Sequence, residues 1–138
     1  MTPPTPTVKS YMTPSPHTVD FTCSMPEAQR MMRVHNLRHL PVLERGALCG
    51  IVTERDLLLA ETLIGFDTRK VPVTDAMTRT VFSVKATDLL VNVAAAMGKD
   101  KYGCAVVMER ETVVGILTTT DICRALADVL TPDASARS

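Results

Sequence analysis

The sequence has no net charge, no long apolar run, no closely paired cysteines and few histidines, and each shortage removes a class of function. Fifteen Lys and Arg residues against fifteen Asp and Glu give a formal charge of zero. The chain therefore lacks the broad positive field that phosphate-backbone binding requires, and a nucleic-acid partner is disfavoured. Its longest apolar stretches, around Leu57 to Ala60 and Val91 to Met97, fall far short of the roughly 20 residues a membrane span needs. No secretory signal is legible, so no membrane association is expected. Cys23, Cys49, Cys104 and Cys123 form no C-x-x-C pair. They read as free thiols of a protein in a reducing cytoplasm, with a redox-responsive regulator as the alternative. His17, His35 and His39 make no zinc spacing with them, and no metal site is expected. A P-loop, an H-E-x-x-H helix and an ordered Ser-His-Asp set are all missing, so the chain reads as non-catalytic. Its eight methionines are read as core filler.

What the chain does contain is one unit written twice. Gly50-Ile51-Val52-Thr53-Glu54-Arg55-Asp56 returns sixty-five positions later as Gly115-Ile116-Leu117-Thr118-Thr119-Thr120-Asp121. The same offset aligns Val8 with Val73, Met12-Thr13 with Met77-Thr78, Val19 with Val84, Met32 with Met97, Val42 with Val107 and Glu44-Arg45 with Glu109-Arg110. Without a gap, 14 of the 56 pairs starting at Val8 and Val73 are identical, which marks an internal duplication. At 138 residues and 46% hydrophobic, the chain suffices for one domain of two halves, each too small to bury an adequate core alone. The expected layout is a flexible tail at 1–7, a first repeat at 8–64, a linker at 65–70, a second repeat at 71–130 and a flexible tail at 131–138. The halves are expected to close on one another about a pseudo-twofold axis, with clefts along it.

Each repeat reads as an opening segment, a strand, a helix, two strands joined by a tight turn and a second helix. Ser24-Met25-Pro26-Glu27 has the form of a capping box with proline in the first turn, which starts a helix running to about His35. Its expected buried stripe is Ala28, Met31, Met32 and His35, matched by Leu90, Val93, Ala94 and Met97 in the second repeat. Strands are expected at 40–43 and 48–52, flanking a turn with Gly46 available for positive φ, and again at 104–108 and 112–117. Helices should follow Thr53 and Thr118, running to about Ile64 and Leu130, each apolar on more than one face. One face can meet the home sheet, and the other suggests a homodimer.

The G-h-h-T-x-x-D segment that ends each repeat sets a glycine in a strand, a threonine at a helix N-cap and an aspartate three residues on. Helix-start amides and the helix dipole favour an anion there, and the threonine hydroxyl adds a donor. A carboxylate one turn in can accept hydrogen bonds from both hydroxyls of a ribose. T-x-x-D is also an ordinary capping box that satisfies only the local backbone. Two copies in register after a glycine-bearing strand favour a ligand.

Met12-Thr13 and Met77-Thr78 opening each unit, Leu40-Pro41-Val42 in the middle strand, and Gly50 through Leu57 at the end resemble the CBS domain family, named for cystathionine β-synthase. The resemblance covers nearly the whole chain. It implies an α/β (α+β) fold of tandem β-α-β-β-α repeats forming a CBS pair, with two nucleotide clefts. It also implies a regulatory ligand such as AMP, ADP, ATP or S-adenosylmethionine, with no cofactor required. Carried over by position, Asp56 and Asp121 are implied ribose ligands, and Thr53 and Thr118 phosphate-side ligands. Pro41 and Ile51, with Val106 and Ile116, are implied walls for an adenine ring. Arg55 can supply charge to a phosphate where the second repeat has Thr120, so the Asp56 cleft is expected to bind more tightly. Arg38 and His39, with Lys99 and Lys101 in the other repeat, are candidates at the cleft mouths. The function expected is a non-catalytic adenine-nucleotide sensor that changes conformation or its contacts with a regulated protein in trans. The alternative is a structural dimerisation module whose clefts stay empty.

Overall fold

The computed structural model describes residues 5–64 and 71–132. The expected linker at 65–70 and most of both expected tails lie outside these residues. A short helix α1 (Val8–Tyr11) leads into β1 (Thr13–Pro14) and β2 (Val19–Asp20). Then follow α2 (Met25–His35), the hairpin β3 (His39–Glu44) and β4 (Ala47–Thr53), and α3 (Glu54–Ile64). The second repeat opens with a 3-10 turn (Val73–Asp75), then β5 (Ser83–Lys85), α4 (Leu90–Asp100), β6 (Cys104–Glu109), β7 (Thr112–Thr118) and α5 (Thr119–Leu130). The mixed α+β class and the order within each repeat agree with the sequence reading.

Local chemistry explains the boundaries. The Ser24 hydroxyl accepts from the Glu27 amide at 3.3 Å with proline in the first turn, and α2 ends at Asn36 in the left-handed region. Within α2, Ala28 and Met32 are buried as expected and Met31 is half-buried. His35 departs from the expected stripe: it is exposed, and its ring stacks on His17 with centroids 3.8 Å apart. In α4, Leu90, Val93 and Met97 are buried and Ala94 half-buried. The β3–β4 turn places Arg45 and Gly46 at φ of 52° and 83°, the positive pair that a tight hairpin needs. Of the expected N-terminal tail, Pro6 and Thr7 are engaged: the Pro6 carbonyl accepts from Leu90, and Thr7 bridges Leu89.

The described residues fall into two compact units, one holding 16–64, 71–81 and 110–113, the other 5–15, 82–109 and 114–132. In the first, the sheet runs β2-β3-β4, with β2 parallel and β4 antiparallel to β3. Thr78 adds an edge bridge to Ile51, with paired bonds of 2.9 and 2.8 Å. Its core is Val19, Met25, Ala28, Met32, Leu40, Val42, Val52, Leu57, Ala60 and Val73. In the other unit the sheet runs β1-β7-β6-β5. There Thr13 pairs with Ile116, the counterpart of the Thr78–Ile51 bridge. Its core is Val8, Val84, Leu90, Val93, Met97, Ala105, Val107, Leu117 and Ala125.

The compact units are therefore not contiguous repeats. Each repeat's opening segment, with its buried Val8 or Val73, belongs to the unit that holds the other repeat's strands and helices.

Candidate functional site

Each unit carries one G-h-h-T-x-x-D junction, built by a strand delivering its last residue as the cap of the next helix. At the first, the Asp56 amide donates to Thr53 Oγ1 at 3.0 Å, and the Thr53 amide donates to Asp56 Oδ2 at 3.0 Å. At the second, the Asp121 amide reaches Thr118 Oγ1 at 3.4 Å, and the Thr118 amide reaches Asp121 Oδ2 at 2.9 Å. Both motifs are thus reciprocal capping boxes. The first helical amide is also taken: Glu54 donates to the Arg38 carbonyl at 2.9 Å and Thr119 to the Gly103 carbonyl at 3.2 Å. The helix starts accordingly offer fewer open amides than the sequence suggests, because the chain just before each middle strand folds back onto them.

The two junctions differ in what the cap leaves over. Thr118 Oγ1 also donates to Asp121 Oδ2 at 3.2 Å, and Arg124 holds Asp121 Oδ1 at 2.5 Å. Both carboxylate oxygens of Asp121, a residue only 4% exposed, are committed. Asp56 is less buried, and among the described residues nothing donates to its Oδ1. The Thr53 hydroxyl accepts in the cap, and among the described residues its proton meets no acceptor.

The other expected residues fall as follows. Pro41 and Ile51 are cross-strand partners in β3 and β4, both buried. Val106 lies in β6 opposite Ser83 of β5, and Ile116 in β7 opposite Thr13; both are buried. Arg55 is exposed in the first turn of α3, and Arg38 is exposed where its carbonyl meets that turn. Thr53, Asp56, Arg38, Pro41, Ile51 and Arg55 thus share one unit, and Thr118, Asp121, Val106 and Ile116 share the other. Lys99 and Lys101 are exposed at the end of α4.

His39, a candidate in the sequence reading, and Arg124, which that reading missed, both stand at the junctions. His39 pairs with Thr53 across β3–β4. Burial, then the Arg38 charge, holds its imidazole below the ordinary 6.5, against the opposing pull of Asp56. Arg124 stands three residues after Asp121 on α5, a spacing that brings side chains together on a helix and so was available as a signal. A stacked aromatic pair, Phe82 and Tyr102 with centroids 4.6 Å apart, joins the start of β5 to the loop before β6. A groove of about 340 Å³ beside α2, lined by Val19, Cys23, Met31 and His35 among others, contains none of the expected site residues. Three of the thiols, Cys23, Cys49 and Cys104, are subdued by burial. Burial, then Glu27, pushes Cys23 up to about 11, and burial alone pushes Cys104 up to about 12. No cluster able to hold a metal occurs among the described residues. No helix among them is long and apolar enough to cross a membrane.

Comparison with known proteins decides the family. The model of the CBS domain matches residues 8–62 and again 73–128, one match for each repeat. The chain belongs to the CBS domain family. Among relatives of this CBS pair, the L-aspartate semialdehyde sulfurtransferase of Methanocaldococcus jannaschii is 34% identical over 119 residues, which make up 85% of this chain. The chain spans only 22% of that enzyme's length. Among solved structures, the CBS domain pair of protein MJ0100 in complex with 5′-methylthioadenosine and S-adenosyl-L-methionine superposes with a TM-score of 0.83. It is 30% identical, covering 91% of this chain and 99% of that one. CBSX2 in complex with AMP gives a TM-score of 0.77 at 27% identity, covering 91% of this chain and 98% of the other.

Proposed function

We propose that the protein is a non-catalytic regulatory module of the cytoplasm that senses adenine nucleotides of the AMP, ADP and ATP class at its two T-x-x-D junctions. Ligand changes its conformation or its contacts with a regulated partner by population shift, without chemistry. The observation that carries this reading is the first junction. There, among the described residues, a carboxylate oxygen of Asp56 and the Thr53 hydroxyl proton remain uncommitted, while the Arg38 carbonyl meets the first turn that carries Arg55. These are the groups that a ribose diol and a phosphate need. The AMP named for CBSX2 supports this class, and the ligands named for the MJ0100 pair support an adenosine-containing ligand more broadly. Thr118, Asp121, Val106 and Ile116 are assigned to a second, weaker site, and Pro41 and Ile51 to the adenine side of the first.

Thermal shift and calorimetry with AMP, ADP, ATP and S-adenosylmethionine test this directly. At about 100 times its dissociation constant, a ligand adds roughly 2.7 kcal/mol of stability, a melting shift of several degrees. Asp56→Ala should remove most of the binding heat and Asp121→Ala little of it. Two equal sites, or loss on Asp121→Ala alone, contradicts the ordering.

Two observations favour other readings. The MJ0100 complex makes S-adenosylmethionine the rival ligand, which the same titration resolves. The reciprocal capping boxes, with exposed Leu58, Leu59 and Leu63 on α3 and Leu126, Val129 and Leu130 on α5, fit a dimerisation module with empty junctions. We assign these exposed side chains to a homodimer in either case. Sedimentation should show a dimer at micromolar concentration that Leu63→Glu or Val129→Glu weakens, and a wild-type monomer removes the assignment.

A further inference from the structure

The Asp121 junction is engaged by a side chain that the Asp56 junction lacks. Arg124 Nη2 donates to Asp121 Oδ1 at 2.5 Å and to the carbonyl oxygen of Tyr11, the last residue of α1, at 3.2 Å. One turn further along α5, Asp128 Oδ2 accepts from the Tyr11 hydroxyl at 2.7 Å. Helices α1 and α5 are thus tied at two points, and Asp121 is part of one of the ties. At the sixty-five-residue offset, Arg124 becomes Leu59, Asp128 becomes Leu63 and Tyr11 becomes Ala76. Leu59 has no donor, Leu63 no carboxylate and Ala76 no hydroxyl, so the side-chain network exists in one repeat only.

We propose that Arg124 is a built-in competitor for the second site, a guanidinium that occupies the Asp121 carboxylate until a ribose diol displaces it. The proposal rests on the adenosine reading above and deepens it. A charge-assisted bond to guanidinium outweighs a neutral hydroxyl at the same oxygen, so the ligand must break it before Asp121 can accept. Arg124 is itself 61% exposed on its side chain, which keeps that cost modest and the displacement reversible. Because the same nitrogen also holds the Tyr11 carbonyl, displacement loosens one of the two ties between α1 and α5 and leaves the Tyr11–Asp128 bond as the other. Occupancy of the second site is thereby transmitted to the opening segment of the chain, a link the first site does not have.

The test uses AMP and 2′-deoxy-AMP in calorimetry on Asp56→Ala, in which only the second junction keeps its carboxylate, with and without Arg124→Leu. Leucine is what the first repeat carries at this position. Removing the guanidinium should raise AMP affinity about two- to fivefold. Affinity for 2′-deoxy-AMP, which lacks one of the two hydroxyls, should stay nearly unchanged, and Arg124→Lys should remain near the parent. Arg124→Gln keeps most of the side-chain stem without the charge, carries the same expectation as Arg124→Leu, and serves if the leucine variant does not fold. An equal change for both nucleotides indicates mere loosening of the helix and overturns the proposal, as does no change. Should wild type bind AMP while removing the guanidinium leaves the second junction silent, the competitor alone is wrong. If no variant and not even wild type binds AMP, the adenosine reading falls and the competitor with it.

Discussion

At the scale of single residues, His39 ties the first junction to pH. Its imidazole is held below 6.5 by burial and by Arg38, so the folded chain takes up a proton less readily than the unfolded one. Stability is fully present above that value and is lost as pH falls below it, because the unfolded chain protonates first. The melting temperature should therefore drop between about pH 7 and about pH 5, and His39→Gln should flatten that slope. An unchanged slope in the variant would assign the effect to other groups. The cysteines make a second residue-scale prediction. With Cys23 raised to about 11 and Cys104 to about 12, neither presents much thiolate near neutrality, whereas Cys123 is exposed on α5. Limited alkylation followed by mass spectrometry should label Cys123 well before the other two. Rapid labelling of Cys104 would contradict its burial and revive the redox alternative.

At the scale of elements, the glycine that begins each motif proves to be a packing requirement. A Cβ on Gly50 would stand 2.6 Å from Met77 Sδ and 2.9 Å from the Thr78 carbonyl oxygen. On Gly115 it would stand 2.5 Å from Met12 Sδ but 3.2 Å from the Thr13 carbonyl oxygen. The thioether can swing aside, while the carbonyl belongs to the bridge between Thr78 and Ile51 and cannot. Gly50→Ala should cost about 1–3 kcal/mol in denaturant unfolding, and Gly115→Ala less. Equal costs would mean that the methionine contact, and not the backbone, sets the limit. The Met-Thr pairs that mark the opening of each repeat thus acquire a cause. They are the residues that close against the motif glycines.

For the molecule as a whole, the exchange of opening segments decides which mutation harms which unit. Val8 is fully buried in a core otherwise built from residues 84–125, and Val73 is fully buried in the core of residues 19–60. Val8→Ala should destabilise by about 1–3 kcal/mol. In native-state hydrogen exchange the loss should be concentrated in β6, β7 and α4, not in its own repeat's β3 and β4. A chain starting at Pro16 should lose protection in the same elements. Loss centred on β3 and β4 would show that each repeat folds on its own contiguous segment.

Much of this architecture was written in the sequence, because it depends on neighbours along the chain. The duplication, the β-α-β-β-α order, the Ser24 cap, the Arg45-Gly46 turn and the threonine caps are all local, set by periodicity, φ preference and side-chain to backbone bonding. Position in the repeat also picked out Thr53, Asp56, Thr118 and Asp121. What pattern alone could not supply was the state of those groups. His35 sits at a helical spacing that reads as core yet lies exposed against His17, since a stripe does not say where the partner layer stops. The folding of Arg38 and Gly103 onto the helix starts, the closure of Thr78 on Gly50, and the grip of Arg124 on the Tyr11 carbonyl join groups whose separations the repeat does not encode. Chain chemistry fixed which side chains stand at the two junctions. The spacing already sets a guanidinium three residues after Asp121 where the first repeat has Leu59; only the tertiary packing decided that this guanidinium also holds the Tyr11 carbonyl, because that contact joins segments more than a hundred residues apart.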